Sequence, residues 1–306
     1  MATNIIDVAP NDEGFTLVLH GGAGGRVEEL SLEASGLYEH GLRLAYEAGA
    51  AILSAGGSAL DAVCETVRRL EDNPLFNAGR GAALTATGSA ELDACVMTGE
   101  GKAGAVAVSR SAKNPVDVAR AVLEESEHVL LVTPSDELVD SWGLERVRPE
   151  YFVTDARQRQ LANVQARLLE GSRHGTVGAV AVDRSGAVAA ATSTGGMVNQ
   201  SDGRVGDTPV VGAGTYARDG VVAVSCTGQG ESFIEGVVAH DIFARMRYGG
   251  APLATAVAST IEGELDSRGA IGGIIAVGAD GRLVVAHNSP AMFAAYRSET
   301  GLVTLT

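Results

Sequence analysis

The stretch His174-Gly175-Thr176-Val177-Gly178-Ala179-Val180 constrains this chain more than any other. A small β-branched hydroxyl residue follows a glycine directly and opens an apolar run. Such a residue starts a buried strand well. Gly175 has no Cβ, so the peptide bond before Thr176 can take a strained geometry. Cleavage of that bond would give Thr176 both parts of a catalytic pair. Its hydroxyl is the nucleophile, and its new α-amine, with an ordinary pKa of roughly 7.7–8.0, is the base. On that reading the chain is a precursor of two subunits.

The segments around the junction read as alternating strands and helices. Gly14–His20 is a buried strand ending in a glycine loop, Gly21–Gly25. Helices are predicted within Ala34–Ala55 and from Ser58, as cap, to about Glu71. A turn-rich stretch covers Asp72 to Ser89. Leu92–Met97 and Gly104–Val108 read as paired strands, Asn114-Pro115 opens a helix, and Val129–Val132 is a short strand. From Ala156 to Arg173 the chain is polar and weakly patterned, which predicts a mobile linker. After it the chain turns strongly β. Val177–Val182 and Ala187–Thr194 form a hairpin around Asp183-Arg184-Ser185-Gly186. Val210–Ala213 and Val221–Cys226 are further strands, Glu231–Tyr248 and Ala251–Asp266 helices, and Ile271–Val277, Leu283–Asn288 and Ala291–Tyr296 final strands. Strands followed by helices in both halves predict sheets covered by helices.

Composition narrows the function. The 306 residues are 45% hydrophobic, enough for a sizeable core, and 40 glycines with only 4% aromatics predict tight packing of small side chains. The formal charge of -15 is spread without an acidic block, and no basic stripe exists, so nucleic acid is not an expected partner. Cys64, Cys95 and Cys226 form no CxxC or Cys/His cluster, which predicts buried thiols rather than disulfides or zinc. No apolar run approaches membrane-spanning length. The start, Met1 to Phe15, lacks the pattern of a signal peptide, so a cytoplasmic protein is expected.

Three further clusters carry chemistry. In Ala191-Thr192-Ser193-Thr194-Gly195-Gly196, alternation puts Thr192 and Thr194 on one strand face and Ser193 on the other. Thr194 is then placed to hydrogen-bond a nucleophile on the neighbouring strand. In Asp202-Gly203-Arg204-Val205-Gly206-Asp207, Arg204 and Asp207 read either as a surface ion pair or as a zwitterion grip, with Arg204 on an α-carboxylate and Asp207 on an α-ammonium. Cys226-Thr227-Gly228-Gln229-Gly230 lies between a strand and a helix. Its N–H groups and the Thr227 hydroxyl have the layout of an oxyanion hole. His20 with its glycine loop suggests a phosphate cradle, but the loop lacks both the dinucleotide fingerprint and the Lys-Ser/Thr of a P-loop. The other histidines, His40, His128, His174, His240 and His287, show no metal spacing.

Taken in order, these segments resemble the plant-type L-asparaginase/isoaspartyl aminopeptidase family of N-terminal-nucleophile (Ntn) hydrolases. The likeness runs through His20-Gly21-Gly22-Ala23-Gly24, Asn73-Pro74-Leu75-Phe76-Asn77-Ala78-Gly79 and Glu91-Leu92-Asp93-Ala94. It continues through the junction at Gly175-Thr176 and the three clusters above. The resemblance implies an α+β fold, a four-layer αββα sandwich formed by one domain over residues 1–306. It implies autocleavage between Gly175 and Thr176 into an α subunit (1–175, with 156–175 as linker) and a β subunit (176–306). Two such αβ heterodimers would pair as a heterotetramer. The implied activity is hydrolysis of L-asparagine and of β-aspartyl dipeptides. Thr176 would be the nucleophile, Thr194 its support, Thr227 and Gly228 the oxyanion hole, and Arg204, Asp207, Gly228 and Gly230 the substrate contacts. Asn77 would lie near the nucleophile.

The family also implies a structural sodium ion on main-chain carbonyls of Leu70, Glu71, Asn73, Phe76, Ala78 and Arg80, with no cofactor required for the chemistry. Partners other than small-molecule substrates and a second copy of the chain are not implied. Two positions depart from the family pattern: Arg80 stands where an uncharged residue is common, and Glu235 where an arginine is common. Two other readings stay open. One is glycosylasparaginase activity, although that branch has aspartate where this chain has Gly175. The other is an uncleaved, inactive binding scaffold.

Overall fold

The computed structural model describes residues 3–24, 31–166 and 175–306. Two sheets organise them. The larger has eight strands in the order β13-β12-β2-β6-β7-β3-β4-β5. Its centre is β2 (Thr16–Gly24), β6 (Val177–Val182), β7 (Val188–Thr194) and β3 (Leu92–Thr98), flanked by β12 (Ala291–Ser298), β13 (Gly301–Leu305), β4 (Ala103–Ser109) and β5 (Leu130–Val132). The smaller runs β1 (Asn4–Val8), β11 (Leu283–His287), β10 (Gly272–Gly278), β9 (Val222–Gly228) and β8 (Thr215–Arg218). Every ladder is antiparallel except β4 with β5.

Alternation along the central strands explains the two cores. Leu17 and Leu19 of β2, with Val177, Ala179 and Ala181 of the β6 segment, pack with α1 (Leu32–Ser54), α2 (Ala59–Glu71) and α3 (Pro115–Glu125). Val18 and Val180 face the other way and pack with Val224, Ile274 and Ile275 of the smaller sheet. That core continues into α6 (Gly230–Gly236), α7 (Val238–Arg247) and α8 (Leu253–Thr260), through Phe233, Ile242 and Val257. A strand covered on both faces needs an unbroken apolar run, and all of β6, Val-Gly-Ala-Val-Ala-Val, is buried. Ser58 caps α2 as its sequence predicts, its side chain accepting from Asp61 N at 3.0 Å.

Several expectations change. The segment from Ala156, read as linker, begins as helix α5 (Asp155–Gln165). Its Leu161 is buried with Leu84, Leu92 and Phe152, and Arg157 Nε donates to Gly81 O at 2.6 Å. One buried leucine makes too thin a stripe for periodicity to reveal. The remainder of that linker, with Gly171-Ser172-Arg173 and His174, lies outside the described residues, as does Gly25 of the glycine loop. Residues Gly21–Gly24 are not a loop but the end of β2, laddered to β12. The helix expected over Glu231–Tyr248 is two helices, broken at Val237, which has a left-handed φ of 47°. Val210–Ala213 contributes only an isolated bridge, from Val211 to Thr215, and β8 starts after the glycines that bend it. β1, β13 and α4 (Asp136–Ser141) carry no pattern that announces them.

Candidate active site

Thr176 stands at the head of β6 and is 4% exposed. Antiparallel pairing of Val177 with Ser193 brings the end of β7 beside it. The Thr176 hydroxyl donates to Thr194 Oγ at 3.2 Å, and Thr194 Oγ donates to the Gly175 carbonyl at 2.9 Å. Thr194 Oγ also accepts from Gly196 N at 3.1 Å. A second donor reaches the same carbonyl: Asn77 Nδ2 lies 2.6 Å from Gly175 O and 2.7 Å from Gly196 O. Ala83 N holds the Asn77 oxygen at 2.6 Å, so the amide cannot turn without losing all three bonds. Gly22 comes against the junction from β2 at φ +115°. A Cβ there would lie 3.2 Å from Gly175 Cα and 3.4 Å from Thr176 N, so the approach requires glycine.

Thr227 and Gly228 end β9, across the gap between the sheets. Thr227 Oγ accepts from Ala23 N at 3.2 Å, next to Gly22, which leaves its own hydrogen free to donate. Gly228 has φ +146°, and a Cβ would meet Gly272 Cα and Ile271 O at 2.6 Å. Gly230 begins α6, and a Cβ there would lie 2.8 Å from Asp207 Oδ1 and 2.9 Å from Arg204 Nη2. Gly22 thus lies against Thr176, Ala23 beside it bonds Thr227, and three residues after Thr227 comes Gly230, beside Arg204 and Asp207.

Arg204 and Asp207 do not form the surface ion pair that was one reading of their spacing. The Arg204 guanidinium is bound side-on by Glu231, at 2.8 Å from Nε and 3.0 Å from Nη2. Gln200 Oε1 lies 3.4 Å from Nη1. Asp207 is 4% exposed and its Oδ2 has no hydrogen-bond partner. Burial pushes its carboxyl up to about 7, although Arg204 pulls the other way. A buried, unpartnered carboxylate oxygen beside a guanidinium suits a ligand carrying both charges. Glu231 was not legible beforehand, because it lies 27 residues from Arg204 in sequence, whereas Gln200 is only four residues away in a stretch without periodicity.

His20 is not part of a phosphate cradle. Gly21–Gly24 continue the β2 ladder, and the His20 ring is buried with Nε2 2.9 Å from Ser225 Oγ. Burial lowers its pKa to about 3, so the ring is neutral. Ser225 Oγ lies 2.8 Å from Thr192 Oγ, which accepts from Thr215 Oγ at 2.7 Å. This hydroxyl chain joins both sheets beneath the junction. Thr192 and Thr194 share that side, as alternation predicts.

The loop from Leu70 to Arg80 carries the main-chain oxygens of the implied sodium site. It closes through the 3₁₀ turn Gly79–Gly81. A Cβ on Gly79 would sit 2.5 Å from Glu71 O, and one on Gly81 would sit 2.1 Å from Phe76 O. The two glycines therefore let the loop turn back closely on its own backbone, and backbone oxygens are ligands that suit a hard cation. Among the described residues no group of three or more His, Cys, Asp or Glu could hold a metal. Arg80 is exposed and lies over the Tyr151 ring, 5.5 Å from its centroid, so its charge points away from the loop. Glu235 is exposed as well and lies 3.6 Å from Arg268. The three cysteines are buried and free, as expected.

No helix among the described residues is long and apolar enough to cross a membrane. Residues 13–306 match the sequence profile of the asparaginase family. The chain is 47% identical over 294 residues to the isoaspartyl peptidase of Salmonella typhimurium, covering 92% of this chain and 94% of that protein. It is 46% identical to the isoaspartyl peptidase of Escherichia coli, with 92% of each chain covered. It is 37% identical over 324 residues to a probable isoaspartyl peptidase/L-asparaginase of Arabidopsis thaliana, covering 95% of this chain and 98% of that one. Profile, identity and coverage agree that the chain belongs to the asparaginase family.

Proposed function

We propose that this protein is an autoprocessing amidohydrolase that converts L-asparagine to L-aspartate and ammonia and cleaves β-aspartyl dipeptides. One observation carries the reading. The Gly175 carbonyl accepts from Asn77 and Thr194 while the Thr176 hydroxyl is held on Thr194. Two donors on one carbonyl polarise it and stabilise negative charge that develops there.

In the precursor, Thr176 Oγ adds to the Gly175 carbonyl carbon. The Gly175–Thr176 C–N bond breaks, the Oγ proton passes to the departing nitrogen, and an ester joins Gly175 to Thr176 Oγ. Water hydrolyses it, leaving a Gly175 carboxylate and a Thr176 amine. In the mature enzyme that amine takes the Oγ proton as Oγ attacks the substrate's side-chain amide. Thr227 and Gly228 stabilise the oxyanion, and the protonated amine gives its proton to the leaving ammonia or amino acid. Water then releases aspartate from the acyl-enzyme. Arg204 holds the α-carboxylate through the N–H groups that Glu231 leaves available, and Asp207 holds the α-ammonium.

The two helix-covered sheets support a four-layer αββα sandwich. After cleavage, residues 1–175 and 176–306 become α and β subunits, and two αβ units form a heterotetramer. The carbonyl-rich loop at Leu70, Glu71, Asn73, Phe76, Ala78 and Arg80 would hold a structural sodium ion, which takes no part in the chemistry. Free cysteines suit a reducing compartment, the cytoplasm.

Intact-mass measurement tests the reading. Wild type split before Thr176, beside a Thr176→Ala protein that stays whole and inactive, is the expected result. Unsplit wild type that still hydrolyses β-aspartyl dipeptides overturns the terminal-amine mechanism.

A further inference from the structure

Arg204 sits in a segment, Asp202–Gly206, that belongs to no strand or helix. The segment's backbone bonds to the residue just before it, Arg204 N donating to Ser201 O at 3.1 Å. The segment is tied down from outside by two carboxylates, one just before β3 and one within it. Glu91 immediately precedes β3 and Asp93 is its second residue, and both carboxylates reach the Arg204 segment. They are 2% and 3% exposed. Glu91 Oε2 accepts from Gly203 N at 2.7 Å, and Asp93 Oδ2 accepts from Gly206 N at 3.4 Å. These two donors bracket Arg204.

The remaining oxygens are anchored on the opposite side. Glu91 Oε1 lies 2.5 Å from Arg110 Nη2, and Asp93 Oδ1 accepts from Val108 N at 2.9 Å. Val108 is the irregular point of the β3–β4 ladder. Pairing jumps from Leu92–Ser109 to Ala94–Val106, and Val108 has φ +55°. That conformation is strained for a β-branched residue. The bulge turns an amide out of the ladder, and Asp93 captures it. Two carboxylates are thus buried at a cost and a strand is distorted, with both devices ending on the segment that carries Arg204.

From this arrangement we infer that Glu91 and Asp93 are positioning residues that set where the Arg204 guanidinium meets a substrate carboxylate. The inference rests on the substrate reading above. It assigns the two carboxylates to substrate affinity rather than to bond making. Neither touches the Gly175–Thr176 junction, whose partners are Asn77 and Thr194.

Glu91→Gln and Asp93→Asn each place an amide NH₂ where one of two N–H donors must be accepted. Each variant is expected to cleave itself fully before Thr176 and to keep kcat within about twofold. KM for asparagine and β-aspartyl dipeptides is expected to rise about tenfold or more, the scale of losing one charge-assisted hydrogen bond. KM equal to wild type overturns the inference, as does a loss of kcat or self-cleavage at unchanged KM. Hydrogen exchange on wild type is independent of variant folding and of activity. Slow exchange at Gly203 and Gly206 amides is expected, and rapid exchange at both overturns the inference. Wild type that cleaves neither substrate instead overturns the substrate reading, with the exchange result still standing on its own.

Discussion

The side-chain amide of Asn77 donates to the carbonyl of Gly175 at 2.6 Å, across 98 residues of sequence. It reaches the junction from the loop that follows α2, and its own oxygen is fastened by Ala83 N. The donor is therefore in place before any bond is broken, which is what electrostatic preorganisation requires.

Asn77→Ala removes that donor and leaves Thr194 alone on the carbonyl. Self-cleavage is expected to slow roughly 10²–10³-fold, as when one oxyanion donor is lost. The fraction of unsplit chain against time, by denaturing gel, measures it. Cleavage at the wild-type rate would show that Asn77 only braces the loop.

Gly230→Ala puts a methyl group against both Asp207 and Arg204. The residue is at the first position of α6, where alanine favours the helix. Thermal stability and self-cleavage are expected to hold while KM for aspartyl substrates rises at least tenfold. Steady-state kinetics beside a melting curve separates these effects, and an unchanged KM would place the substrate elsewhere.

Asp207 brings a pH dependence. Its carboxyl in the free protein is raised to about 7 by burial, with Glu231 and Asp93 adding to the rise and Arg204 opposing it. Below that value the group is protonated and cannot pair with an α-ammonium. The profile of kcat/KM reports free-enzyme ionisations, so kcat/KM is expected to fall as pH drops through about 7. In Asp207→Asn, kcat/KM should be low throughout, and the acid limb that remains is that of the Thr176 amine alone, ordinarily at roughly 7.7–8.0, so it is shallower than in wild type. Wild-type and Asp207→Asn profiles of the same shape from pH 6 to pH 8 contradict this assignment.

Glu71 links pH to stability. It is buried, accepts from Val116 N at 2.9 Å, and desolvation raises its carboxyl from 4.5 to about 8. Between those values the folded chain keeps a proton that the unfolded chain has released. Wild-type stability therefore declines as pH rises across this window. Glu71→Gln keeps an acceptor for Val116 N and has no proton to lose. The Tm of the variant minus that of wild type is expected to grow from pH 4.5 to pH 8 and then level off. A constant difference would mean that Glu71 ionises as it does in the unfolded chain.

Much of the frame was legible. Val177–Val182 and Val188–Thr194 announce themselves by unbroken apolar runs around a turn, and Ser58 and Pro115 mark helix starts with their own chemistry. Alternation put Thr192 and Thr194 on one side. Helix α5 escaped because a single buried leucine leaves no stripe, and the break at Val237 escaped because valine carries no signal for a left-handed turn.

The sequence by itself determined which groups are available for chemistry: a threonine after glycine, an arginine and an aspartate three residues apart, and a threonine-glycine turn between strand and helix. Those are local facts of side-chain type and spacing. Only the tertiary structure decided what each group meets. Asn77 on Gly175, Glu231 on Arg204, and Glu91 and Asp93 on the Arg204 segment all join residues far apart in the chain. Periodicity cannot report such pairs, because burial and strand register select them only once the sheets have formed. The Gly175–Thr176 junction is an ordinary strand start in sequence, and it becomes a polarised peptide bond where those distant donors converge on it.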